Sequence, residues 1–117
     1  MMNYLCLVGR LVSNPTLKET ETGQKYSKIT LAVPRSYKNM EGIYETDFID
    51  IALYNNTAEI TVEYCQKGDL IGIKGRLETN YYENENGEKK KSMIVIAEKV
   101  SFLSAAHRNE EEEEDDI

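Results

Sequence analysis

The chain has 117 residues, 40% of them apolar and 30% charged, with a formal net charge of −7; that is the size of a single domain with one modest core. No segment approaches the run of about 20 apolar residues needed to cross a bilayer, and Met1 to Leu7 lacks the basic flank of a signal peptide, so a cytoplasmic protein without a membrane segment is expected. Residues 110 to 116 are all acidic while the rest carries 14 basic and 14 acidic residues, so the body is neutral and the charge balance does not exclude a nucleic-acid partner.

In chain order, Tyr4 to Leu11 (YLCLVGRL) is nearly continuous in apolar residues and predicts a first strand with a bend at Gly9. Asn14-Pro15 breaks it. After a polar stretch and a turn at Thr22-Gly23, Tyr26 to Val33 (YSKITLAV) alternates, with Tyr26, Lys28, Thr30 and Ala32 on one side and Ser27, Ile29, Leu31 and Val33 on the other. Arg35 to Ile43 reads as a mobile loop with Gly42 near its tip. Tyr44 to Tyr54 (YETDFIDIALY) predicts a third strand whose core face is Ile49, Ile51 and Leu53; the opposite face carries Phe48, Asp50, Ala52 and Tyr54.

The period changes from Asn55 to Gln66. Asn56 followed by Glu59 has the spacing of a capping box, and Ala58, Thr61, Val62 and Cys65 fall at i, i+3, i+4 and i+7, which predicts one helix closed by Lys67-Gly68. Its place suggests a plug for one end of a barrel. Asp69 to Tyr82 (DLIGIKGRLETNYY) is the longest candidate strand. Extended, it reaches about 45 Å, so it must curl or protrude; we expect it to begin as a core strand and end as a ribbon leaving the body. Asn86-Gly87 signals a hairpin turn, Lys90 to Ala97 returns antiparallel, and Val100 to Leu103 is a last short strand.

About five strands with one helix between the third and fourth predict a small all-β barrel in which closure removes the sheet edges. Cys6 and Cys65 sit inside apolar patterns and read as reduced core residues, without the paired spacing of a zinc site. Neither a metal nor a cofactor is expected. His107 is the only histidine and lies outside the patterned region, no nucleophile-and-base arrangement or phosphate-binding loop is present, and Asp47 and Asp50 project to opposite faces of their strand. The chain does not read as an enzyme.

The segments NYLCLVGRL with NPTL, YSKITLAV, TDFIDIALYNNTAE, EYCQKGDLIGIKGRLETNYY and the final hairpin to VSFL together resemble the bacterial single-stranded DNA-binding protein family over about residues 3 to 103. The resemblance implies an OB-fold five-stranded barrel over residues 1–104, assembly as a homotetramer, and sequence-independent binding and protection of single-stranded DNA in replication, recombination or repair. It also implies four stacking rings, Tyr37, Phe48, Tyr54 and Tyr82, although the family often places tryptophan at such positions and this chain has none. Exposed rings interleaved with cations are what such a surface needs, and the candidate phosphate contacts are Arg10, Arg35, Lys38, Lys74, Arg76, Lys89, Lys90 and Lys91. Asp50, Glu78 and Asn80 stand where the family often has basic residues, so the groove should be less positive than usual.

Residues 105–117 form a short acidic tail whose seven consecutive like charges predict disorder. The family's acidic tip usually ends in Pro-Phe and serves partner docking in replication and repair; here Asp115, Asp116 and Ile117 stand in its place. Two alternatives remain open on the residues alone. One is an OB-type interaction or assembly module with little DNA binding, and the other is a single-stranded RNA binder.

Overall fold

The computed structural model describes residues 1–105. The tail residues 110–117, with Asp115, Asp116 and Ile117, lie outside the described residues. The elements in order are β1 (Leu5–Leu11), β2 (Lys18–Glu19), β3 (Lys25–Lys38), β4 (Tyr44–Tyr54), α1 (Asn55–Tyr64), β5 (Leu70–Glu83) and β6 (Lys89–Ser104).

The sheet order is β1-β5-β6-β4-β3-β2, and β1 also pairs with β3, so five strands close on themselves while β2 adds a two-residue hairpin arm. All pairings are antiparallel except β4 with β6, where Ile51 faces Val95 and Ala52 faces Ile96. With α1 between the third and fourth barrel strands, this is the OB barrel that the resemblance implies. On the core faces of β3 and β4, Ser27, Ile29, Leu31, Ile51 and Leu53 are buried; the four apolar ones join Leu11, Ile71, Ile73, Val95 and Ala97 in one core, with Val33 and Ile49 partly buried against it. The helix contributes Ala58 to that core, its C-cap residue Cys65 joins it, and α1 packs against β3, β4 and β6.

Closure needs sharp corners. At Gly75 a Cβ would lie 2.2 Å from the Ile96 carbonyl oxygen, so only glycine allows β6 to approach β5 this closely. Beyond this corner the two strands leave the barrel as a ribbon: Glu78 to Glu83 and Lys89 to Met93 are exposed on both faces, over about 20 Å.

Several expectations are corrected. The two last strands are one 16-residue strand, β6, because a bulge absorbs the break: Lys74 pairs with Lys99 and Gly75 with Ala97, leaving Glu98 as the extra residue. The loop from Arg35 to Ile43 is shorter than expected, since β3 continues to Lys38 and β4 begins at Tyr44, leaving Asn39 to Ile43 as the connection, with a register shift between Pro34 and Lys38. Tyr37 therefore stands on a strand end. The helix is capped by Tyr54 with no side-chain cap bond, and Glu59 turns outward to an ion pair with Lys25 at 2.8 Å, so no capping box forms. Cys65 is buried but Cys6 is exposed, because β1 alternates and places Cys6 on the outward side with Tyr4 and Val8.

The three hairpins share one turn, at Thr20–Gln24, Asn39–Ile43 and Asn84–Glu88. In each, the first residue's N–H donates to the fifth residue's carbonyl (2.8, 2.8 and 3.0 Å), and the glycine N–H in fourth place donates to the first residue's carbonyl (2.9, 3.0 and 3.0 Å). The first side chain, Thr20 Oγ1, Asn39 Oδ1 or Asn84 Oδ1, accepts the fifth residue's N–H at 3.0 Å each time. Gly23, Gly42 and Gly87 all have φ between 76° and 88°, the left-handed position of a three-residue hairpin loop. Asn86-Gly87 thus sits inside this longer loop and does not form a two-residue turn.

Candidate nucleic-acid interface

Directly paired residues in a sheet share a face, so the register shows which candidates meet. Across β3 and β4 the outward pairs are Ala32 with Phe48, Thr30 with Asp50, Lys28 with Ala52 and Tyr26 with Tyr54. Ala52 then pairs with Ile96 on β6, which faces Arg76 on β5. Further along the same side of the ribbon come Glu78 with Ile94, Asn80 with Ser92, and Tyr82 with Lys90. Phe48, Tyr54 and Tyr82 consequently lie on one continuous sheet face. Tyr37 stands beyond the register shift, on the same hairpin as Phe48. All four rings are open to solvent: Phe48 is 66% exposed, Tyr37 62%, Tyr82 54% and Tyr54 38%.

The row through Phe48 continues past Ala32 to Arg10 on β1, since Arg10 pairs with Ala32. A shallow groove runs beside it, lined by Val8, Arg10, Ala32, Pro34, Thr46 and Leu70. Arg10 is held there by a hydrogen bond from Nη1 to the Gly68 carbonyl at 3.0 Å.

The other cations differ in what occupies them. Arg76 shares the ring face but donates from Nε to Glu78 at 2.8 Å and from Nη1 to Glu98 at 3.3 Å; the Glu78 bond in particular makes its proton still harder to remove. Arg35 is clasped by Asp47 through Nε and Nη2 and by Glu45 through Nη1 at 2.7 Å. Those two acids alternate with Thr46 and Phe48 on β4, so the clasp occupies the opposite side of the hairpin from the Phe48 ring. The bond from Arg35 holds the Asp47 carboxyl below the usual carboxylate range. Lys38 lies 5.6 Å above the Tyr44 ring and Lys74 lies 5.9 Å above Tyr4, on the flank where β1 meets β5.

In the lysine run only Lys90 shares the face of Tyr82, and it pairs with Glu88 at 3.2 Å. Lys89 and Lys91 pair in register with Glu83 and Tyr81 on the other side. Among the described residues neither lysine has an ion pair. The acids expected to thin the positive charge are in place: Asp50 and Glu78 both stand on the ring face.

Two residues absent from the candidate set belong to this face. Lys28 stands between Tyr26 and Thr30, exposed and without an ion pair among the described residues. Tyr26 is half-buried opposite Tyr54. The alternation of YSKITLAV already puts both on the outward side, so the signal was present. No group of three His, Cys, Asp or Glu among the described residues could hold a metal ion, and none of the described helices is long and apolar enough to cross a membrane.

Residues 2–103 match the model of the single-strand binding protein family. The chain is 45% identical over 103 residues to single-stranded DNA-binding protein B of Bacillus subtilis, covering 88% of this chain and 91% of that one. It is 42% identical to single-stranded DNA-binding protein 1 of Staphylococcus aureus and 42% identical to the single-stranded DNA-binding protein of Bacillus cereus, spanning 66% and 61% of those longer chains. With a family match over residues 2–103 and 45% identity over 88% of the chain, the chain belongs to the single-strand binding protein family.

Proposed function

We propose that the protein binds single-stranded DNA by stacking bases on Phe48, Tyr54, Tyr82 and Tyr37, and protects it in replication, recombination or repair. The observation that carries this reading is the placement of three exposed rings on one sheet face by strand register alone. Stacking accepts any base, so the platform itself is tolerant of sequence. Arg10 and Lys28 are the cations best placed for phosphates on that face; Arg76, Lys90 and, across the hairpin, Arg35 must exchange a carboxylate for a phosphate. Lys38, Lys74, Lys89 and Lys91 line its flanks. Titration of labelled oligo-dT at several salt concentrations tests the reading. Saturable binding that weakens with salt supports it; no binding by a folded protein favours the interaction-module alternative, and tighter binding to oligo-U favours RNA.

We propose further that the chain assembles as a homotetramer. Among the described residues, the edge of β1 from Leu5 to Val8 has no partner strand opposite β5, because β3 pairs only with Arg10 and Leu11. Exposed Val8 and Leu103 stand along that flank. A monomer mass by sedimentation equilibrium at micromolar concentration would overturn this. For the tail, the proposed role is partner docking through Asp115, Asp116 and Ile117; Ile117→Ala should lose replication or repair proteins that the parent captures, and equal capture would remove the role.

A further inference from the structure

Two acids stand on the stacking face, and their chemistry is hostile to the polyanion that the face is proposed to bind; Glu78 is paired with Arg76, whereas Asp50 has no ion pair among the described residues. It projects from β4 two residues after Phe48 and four before Tyr54, about 7 and 14 Å along the strand. It is not stray surface charge. The Thr30 hydroxyl, directly opposite on β3, donates to its Oδ1 at 2.8 Å, which holds the carboxylate on the stacking face. Oδ2 makes no hydrogen bond or ion pair with any described residue. Lys28, diagonal to it, forms no ion pair with it among the described residues.

An ionised carboxylate only accepts hydrogen bonds. Phosphates are therefore kept away from this spot, and a strand lying across Phe48 and Tyr54 turns a base edge, not its backbone, toward Asp50. Bases differ in what that edge offers. Cytosine presents the N4 amino donor at the corner of its edge. Thymine presents O4 there, and its single N3–H donor is flanked by two acceptor oxygens that repel a carboxylate. We propose that Asp50, positioned by Thr30, is a base-composition determinant: it favours cytosine over thymine at the subsite between Phe48 and Tyr54. This rests on the single-stranded DNA reading above and adds a hydrogen-bond preference to a platform otherwise tolerant of sequence.

The test compares labelled oligo-dC and oligo-dT of equal length at pH 8 and matched salt, for the parent and for Asp50→Asn. The amide keeps the shape and the Thr30 bond while gaining a donor that thymine O4 can accept. Removing a negative charge tightens binding to both oligomers, so the quantity read is the ratio of dC to dT affinity. That ratio should fall by about fivefold from parent to variant, the lower end of what one base-edge contact supplies. A second arm needs no variant: oligomers of N4,N4-dimethyl-2′-deoxycytidine, which lack the amino donors, should bind the parent as oligo-dT does. A ratio unchanged by Asp50→Asn, or dimethylated oligomers that bind as oligo-dC does, overturns the proposal while tight oligo-dT binding leaves the stacking platform standing. Failure of the folded parent to bind any of the oligomers overturns both.

Discussion

Phe48 stands directly opposite Ala32 across the β3–β4 ladder. A methyl group cannot cover a phenyl ring, and Phe48 remains 66% exposed on a strand whose neighbours Ile49 and Ile51 turn inward. The ring is thus available without being part of the core. Phe48→Ala should weaken oligo-dT binding by about 1–3 kcal/mol with little change in melting temperature. Ala32→Leu should weaken it too, by covering the ring that is still present. Anisotropy of labelled oligo-dT and thermal melting check both; an Ala32→Leu protein that binds as the parent does would show that Phe48 is not a platform.

The rings at the two ribbon ends make a parallel case. Tyr37→Ala and Tyr82→Ala each remove an exposed ring, so each should cost about 1–3 kcal/mol of oligo-dT affinity while the fold is kept. Both variants binding normally in the folded state would refute the assignment.

The barrel corner gives a contrast within one strand. Gly75→Ala places a Cβ against the Ile96 carbonyl oxygen, and should cost about 1–3 kcal/mol in urea unfolding through forced backbone shifts. At Gly72 the nearest atom to an added Cβ is 3.6 Å away, in the Leu103 side chain. Gly72→Ala should therefore be tolerated or stabilise by up to about 1 kcal/mol. Equal losses at both sites would mean the corner is not set by the close approach.

Ser27 is fully buried on the core face of β3, and its Oγ has no hydrogen-bond partner among the described residues. Its desolvation is uncompensated, so Ser27→Ala should raise stability by about 1 kcal/mol, read from the urea midpoint at unchanged slope. A loss of stability would point to a partner for the hydroxyl.

The Arg35 clasp makes a pH prediction. Hydrogen bonding from Arg35 lowers the folded-state pKa of Asp47 below its unfolded value. Its stabilising contribution is then complete above the ordinary carboxylate range and lost as pH falls through the lower folded value. In NMR titration the Asp47 carboxyl should titrate below an exposed aspartate, and Arg35→Gln should return it to the ordinary range. Titration of the parent at or above that range would contradict the clasp.

Much of this architecture is legible because two strands alternate strictly: Tyr26 to Val33 and Ile49 to Tyr54 declare both a core side and an outward side. The same alternation reveals the Phe48–Tyr54 face. Other features depend on what no local pattern contains. An unbroken apolar run such as LCLV hides which side faces out, hence Cys6. Consecutive charges at Glu98-Lys99 look like a strand end, yet a bulge lets the ladder pass through them. The partners of Arg35 come from the neighbouring strand, across a register shift. Tyr37 and Tyr82 became candidates only through the family resemblance, since exposed rings on a polar ribbon have no core pattern to contradict.

The repeated turn has a consequence for how the β5–β6 ribbon can change length. Asn84 and Gly87 dictate the pairing from the tip, so insertions or deletions in the arm must be matched on both strands. Removing one residue from each would keep the ladder but rotate everything beyond the cut to the other side, sending Tyr82 away from Phe48 and bringing Tyr81 into its place. Removing two from each would return Tyr82 to its side, about 7 Å nearer the barrel. The arm is thus quantised in pairs, and its reach toward nucleic acid can be tuned only in whole pleats.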